Sequence, residues 1–320
     1  MSEPQRKLGT YGGQAVIEGV MFAGKTVNVT AVRRKNNEIE YLEVPRTDRK
    51  WITNLKKIPL LRGLVGIIES SAKGSQHLNF SAEMYAEEEA ETGSAQSKPV
   101  KEEKSSGLSN LSMILSVAVV GILSFLAGKL IFTLVPVFVE DFIFGTFFEN
   151  QILHNLLEGI IKIILLLVYL FAISQTPLIK RLFQYHGAEH KVISAYEAGL
   201  ELTVKNVQKF NTLHYRCGSS FIVFTVILGV IIYSFLPYDS LWERVLQRLM
   251  MLPVVIGVSY EVLRLTNSVR DIPVLRVLGY PGLWLQLLTT KEPDDSQVEV
   301  AIASFNRVLE LDSQQLGEIR

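Results

Sequence analysis

The chain has 320 residues, of which 48% are hydrophobic and 20% charged, and a mean hydropathy of +0.25. That excludes a disordered polymer and a small disulfide scaffold and puts a membrane protein first. Thirty-two Lys and Arg balance 32 Asp and Glu, leaving no basic excess for DNA or RNA, and the single cysteine, Cys217, excludes an internal disulfide or a C-x-x-C cluster.

The chain opens MSEPQRKLGTYGGQ, with no apolar run behind its positive charges, so a cleaved secretory signal is not expected. Two β-rich runs around Lys35-Asn36-Asn37 predict a hairpin over 26–45, extended to a meander by 14–22. Apolar residues at helical spacing between Trp51 and Ser81 predict an amphipathic helix, lying on the membrane surface or covering the small sheet. Together, residues 1–82 are expected to form a cytosolic α+β domain. Residues 83–107, rich in Glu, Lys, Ser and Gly, read as a flexible linker.

From 108 to 266 the composition changes. Four apolar segments, near 108–135, 156–175, 219–237 and 246–266, match the roughly 20 helical residues that cross a hydrocarbon core. The loop 137–155 carries acids and no Lys or Arg, whereas 175–219 is rich in Lys and Arg. The positive-inside rule therefore puts the second loop, and with four spans both termini, in the cytosol. The fold class expected is mostly α: a four-span α-helical membrane bundle with a small cytosolic α+β N-terminal domain. Residues 267–320 are expected to follow as a cytosolic, membrane-associated segment. Its Pro- and Gly-broken part, 273–290, should hug the membrane. Its final helix should present Val298, Ala301, Ile302, Phe305 and Leu309 on one face.

The chemistry concentrates in the loop 176–218, whose centre reads H-x-x-E-H. On a helix His186 and His190 stand at i and i+4, so both imidazoles can reach one divalent ion, zinc by preference, while Glu189 is placed to act as base. The bland alternative is a pair of half-buried histidines that cap helices or bond lipid headgroups. A third ligand is required. His214, which precedes the third span, is the first choice, ahead of Cys217, Glu197 and Glu261. Arg216 is read as orienting an anionic substrate group, or as a topological charge only. Glu261 lies inside the last expected span and calls for a compensating cation, either a metal shell or Arg264 at i+3. Glu18, between glycines in GGQAVIEGV, is a further candidate beside the plain reading of a tight turn.

Several stretches occur together: GGQAVIEGVMF (12–22), YHGAEHKVISAYEAG (185–199), H-Y-RCGSSF (214–221), VSYEVLRL (258–265) and PGLWLQLLTTKEPDD (281–295). With these the chain closely resembles the YqhQ family of bacterial membrane proteins nearly end to end. The resemblance implies a multi-pass protein of the bacterial cytoplasmic membrane, labelled a predicted metal-dependent enzyme without an established reaction. Its motifs fall here on Gln14, Glu18, His186, Glu189, His190, Lys191, His214, Arg216, Cys217 and Glu261. The function expected is metal-dependent hydrolysis of a peptide or lipid-linked substrate at the cytosolic membrane face, with a non-catalytic transporter or scaffold as the alternative.

Overall fold

The computed structural model describes residues 11–47, 50–91, 128 and 131–318. The protein is mostly helical, with one four-stranded antiparallel sheet near the N-terminus: β1 (Gly12–Val16), β2 (Gly19–Ala23), β3 (Val27–Arg33) and β4 (Ile39–Pro45), in that spatial order. This is the expected meander. Asn37, with φ 67°, turns β3 into β4, a left-handed geometry that an Asn side chain tolerates.

Two compact units divide the chain: Met1–Glu91, Leu170–Phe224 and Ile256–Arg320 form the first, and Thr92–Tyr169 with Thr225–Val255 the second. The expected boundaries at 82/83, 107/108 and 266/267 give way to this interleaving, because the sheet is buried on both faces and needs later parts of the chain to cover it. On one face Val20, Phe22, Val29 and Ala31 pack with Tyr185, Ala188 and Val192 of helix α5 (Pro177–Glu197) and with Val298, Ala301, Phe305 and Val308 of helix α11 (Asp295–Glu318). Phe305 is fully buried, with edge-on contacts to Tyr11, Phe22 and Tyr196 at centroid distances of 5.2, 4.9 and 5.0 Å. The expected apolar face of the last helix is this one. The Asp312 carboxylate takes the N–H groups of Lys25 and Thr26 at 2.8 Å each, which ties the β2–β3 turn to the end of the chain.

On the other face Val16, Met21 and Val32 meet Phe80 and Met84 of helix α2 (Leu61–Glu91), and Thr30 Oγ1 meets His77 Nδ1 at 2.6 Å. Of the two roles expected for the amphipathic segment, this half of α2 covers the sheet. A short helix, α1 (Lys50–Leu55), precedes it. Because α2 runs on to Glu91, the first part of the expected linker is helical. The remainder of that linker, and most of the expected first span, lie outside the described residues.

In the second unit, helix α3 (131–144), the first part of α4 (Gln151–Ser174), the later part of α7 (Ser220–Tyr233) and α8 (Leu241–Met250) enclose a buried ionic network. Arg244 bonds Glu140 at 2.6 Å and Glu158 at 2.9 Å, Arg248 bonds Glu158 at 2.8 Å and Asn155, and His154 Nδ1 meets Glu140 at 2.6 Å. Helix α8 presents both arginines from one face, one turn apart, and Ser240 caps it by accepting the Glu243 N–H at 3.2 Å.

Among the described residues α4 is the one helix long and apolar enough to cross a membrane; α8 and α9 (Leu252–Ser268) also pass if counted as a single span bent by 51°. Pro253 in the first turn of α9 has no N–H to carry the α8 ladder onward, which accounts for the break. The third expected span contains α7, whose 14 residues reach only about 21 Å. Between α9 and α11 come a 3-10 turn (Leu275–Gly279) and α10 (Tyr280–Thr289), all in the first unit.

Candidate metal centre

Helix α5 carries the H-x-x-E-H residues. Pro177 opens it with a preset φ after Thr176, and Gly199, with φ 71°, ends it in left-handed geometry as Leu200 N–H returns to Ala195 O. Gly187, between the histidines, lets the extended segment after α10 cross the helix: a Cβ there would stand 2.1 Å from the Lys291 carbonyl oxygen. Lys291 N–H also donates to Phe183 O at 2.9 Å, so residues 289–291 are fixed over this turn of α5.

That crossing segment sets the first histidine. His186 Nδ1 lies 2.8 Å from the Thr289 carbonyl oxygen, which only an N–H can satisfy, so in the neutral ring the lone pair is on Nε2, which faces Cys217 Sγ at 3.2 Å. His190 repeats the arrangement, with Nδ1 2.5 Å from Thr212 O. Burial lowers the His190 pKa, which favours the neutral ring. The two rings sit 4.5 Å apart between centroids. One ligand atom from each of His186, His190 and Cys217 falls within 4.8 Å of the others. Around a tetrahedral ion such atoms stand on the order of 3.5 Å apart, so a modest rotation of side chains closes the set. Histidine ligands that bind a metal through one nitrogen hold their other N–H on a backbone carbonyl or carboxylate, and both rings here meet that condition.

The structure brings Cys217, rather than His214, to the histidine pair. His214 is near, with its ring 5.6 Å from His190, but its Nδ1 accepts the Arg216 N–H at 3.4 Å and its Nε2 faces the Glu197 carboxylate at 3.7 Å. That last distance is within ion-pair range and too long for a hydrogen bond. Arg216 pairs with the same carboxylate, which Arg270 approaches at 3.5 Å.

Glu189 borders a cavity of about 340 Å³ that is also lined by Tyr11–Ala15 of the β1 region and by His186, His190, Arg216 and Cys217. Burial pushes its pKa up to about 7, against the opposing pull of His186 and of the Gly13 N–H, which its carboxylate accepts. Among the described residues it is the one acidic side chain on the cavity wall.

Two sequence candidates lie elsewhere. Glu18, at φ 53° in the β1–β2 turn, clasps Arg181 at 2.5 Å, with Tyr185 OH at 3.3 Å, and so fastens that turn to α5. Glu261 is paired with Arg62 and accepts the Leu60 N–H at 3.2 Å. Arg62, from outside its own helix, takes the place expected for Arg264, and Glu261 is not on the cavity wall. Gln286 was not singled out from the sequence. It is fully buried and holds His214 from both sides, accepting its N–H and donating to its carbonyl at 2.8 Å each, and it also reaches Ser220 Oγ at 2.9 Å. A lone amide in the apolar run LWLQLL was the available signal, since a buried polar group needs partners.

Comparison with known proteins adds kinship to this geometry. A family described as "Protein of unknown function (DUF1385)" matches residues 58–311. The chain belongs to that family. It is 56% identical over 303 residues to the "Uncharacterized protein YqhQ" of Bacillus subtilis (strain 168), covering 95% of this chain and 93% of the relative, which bears out the resemblance to YqhQ proteins. No solved structure matches. Neither description names an activity, so metal binding and hydrolysis rest on the geometry alone.

Proposed function

We propose that the protein is a multi-pass protein of the bacterial cytoplasmic membrane that binds a divalent cation, zinc by preference, through His186, His190 and Cys217. In this reading it hydrolyses a peptide or lipid-linked substrate at the cytosolic face. The observation that carries the proposal is the pair of histidines whose Nδ1–H groups are held by the Thr289 and Thr212 carbonyls beside a cysteine thiol. A cation bound there supplies Lewis acidity toward water and an acyl oxygen. The chain's own residues do the rest. Glu189 takes a proton from the attacking water as the water oxygen bonds to the acyl carbon. It returns that proton to the leaving nitrogen or oxygen as the old bond breaks. Arg216, with Glu197 behind it, offers its guanidinium to an anionic group of the substrate.

Membrane placement is supported by α4, by the α8–α9 pair, and by large apolar side chains left open to their surroundings in the second unit: Phe142, Phe235 and Trp242 are 90%, 80% and 74% exposed. The charge pattern of 137–155 and 175–219 supports four spans with both termini in the cytosol. In a Cys217→Ser background, an external thiol reagent on intact cells should label a cysteine at Asn150 and not one at Gln208; the reverse would overturn the topology. A transporter would use Glu261 with the histidines as a polar path, and a metal centre would keep Glu261 beside the histidines; paired with Arg62, that carboxylate favours neither.

Elemental analysis tests the centre. About one metal ion per purified wild-type chain is expected, with sharp loss in His190→Ala and Cys217→Ser and retention in His214→Ala. Equal content in all four proteins would refute the site.

A further inference from the structure

β1 is an edge of the sheet, and the register fixes which of its backbone groups face outward. Arg33 donates its N–H to Glu18 O at 2.9 Å, in line with the pairing of Gly19 and Val32. Residues 18, 20 and 22 therefore turn their N–H and C=O groups toward β3. In an antiparallel ladder a residue bonded to one neighbouring strand is turned away from the other, so Gly19, Met21 and Ala23 bond their β1 partners Val16, Gln14 and Gly12. The β1 residues between these, Gly13 and Ala15, point their backbone groups away from the sheet.

The same phase reaches Ile17, whose N–H is taken by Ser81 Oγ at 3.3 Å, and the Gly13 N–H is taken by Glu189. Between them the Ala15 N–H and the carbonyls of Gly13 and Ala15 meet no partner among the described residues. Gly13, Gln14 and Ala15 are all partly exposed, and all border the cavity that holds the histidines. Gly12 has open space where a side chain would stand, whereas the Glu189 side chain fills that space at Gly13. Two carbonyls about 7 Å apart with one N–H donor between them are what an extended polyamide matches and a lipid headgroup does not.

We infer that the cavity receives an extended polypeptide, which joins the sheet as a fifth strand along β1 and lays one of its peptide groups beside His186, His190 and Cys217. Cleavage of that peptide rests on the hydrolase reading above, whereas strand addition rests on β1 alone.

The test separates the two. A library of end-blocked random hexapeptides is equilibrated with the purified full-length protein stripped of metal, and a retained peptide is resynthesised with one N-methyl group at each amide in turn. Affinity should fall tenfold or more at every second amide and change little between them. Ala15→Pro removes the outward N–H without touching the bonds to β2, and should weaken binding about tenfold. Tyr41→Pro, on the outward phase of the opposite edge strand, should leave binding unchanged. No retained peptide, or N-methylation tolerated without alternation, would overturn the inference even if Ala15→Pro fails to fold. Alternation without cleavage by zinc-loaded protein would keep strand addition and sink the hydrolase. Cleavage without alternation would do the reverse.

Discussion

In the second unit Glu140, Glu158, Arg244 and Arg248 bury two negative and two positive charges that cancel, with His154 and Asn155 filling remaining positions. In the first unit His190, Cys217 and Glu189 are buried and His186 is partly so, yet each ring is held by a single backbone carbonyl and keeps its second nitrogen for something else. The contrast is between a buried polar cluster whose charges are matched from within and one whose rings are each held from one side. The first leaves Arg244 Nε and Arg248 Nη1 without a partner among the described residues but balances its charges, and the second is held from behind and left open in front.

The sharpest way to break this comparison is to open the closed cluster. Arg248→Ala leaves Glu140 and Glu158 to share Arg244, with one buried charge uncompensated, and should cost about 3–5 kcal/mol, whereas Glu158→Leu with Arg248→Met, which removes both charges, should recover most of that loss. Chemical denaturation of the three purified proteins checks it, and a double variant as unstable as Arg248→Ala would mean that the network does more than neutralise itself.

Next in size is an effect on the open cluster. Gln286→Leu frees the His214 backbone and with it the segment that carries Thr212 and Cys217, so metal affinity should drop roughly 10–100-fold in a competition titration. Unchanged affinity would detach Gln286 from the centre.

The smallest effect comes from His77, a polar group of intermediate kind: its Nδ1 meets Thr30, while its Nε2 is buried without a partner. Burial lowers its pKa below the ordinary 6.5. As pH falls through that value the unfolded chain takes up a proton that the folded chain refuses. Stability present above about pH 6.5 is therefore lost on acidification, by at most about 1.4 kcal/mol per pH unit. Stability curves at several pH values should show this slope in the wild type and a flatter one in His77→Gln.

What the sequence made legible follows from spacing. The i, i+4 histidines, the meander around Asn37 and the apolar face of the last helix are local patterns, and each stands where its period puts it. The third ligand was not legible in the same way. His214 and Cys217 are close neighbours in the chain, and which of them reaches α5 depends on how Gln286 pins the His214 backbone from a helix some seventy residues later. Glu158 reads locally as a partner for Lys162, one turn along the same helix, but its ionic partners come from α8, across a separation no periodicity encodes. The break between α8 and α9 was marked by Pro253, a signal that a count of apolar residues passes over.

The hydrogen bonds from Lys25 and Thr26 to Asp312 span 287 and 286 positions of sequence. At a synthesis rate of roughly 5–20 residues per second, the β2–β3 turn therefore leaves the ribosome on the order of 15–60 s before the carboxylate that fastens it. Throughout that interval Phe22 and Val29 have no Phe305 or Val308 to cover them. A nascent chain in this state carries an apolar strand face that lacks its last covering helix, so the rate of translation sets how long that face stays open to wrong partners.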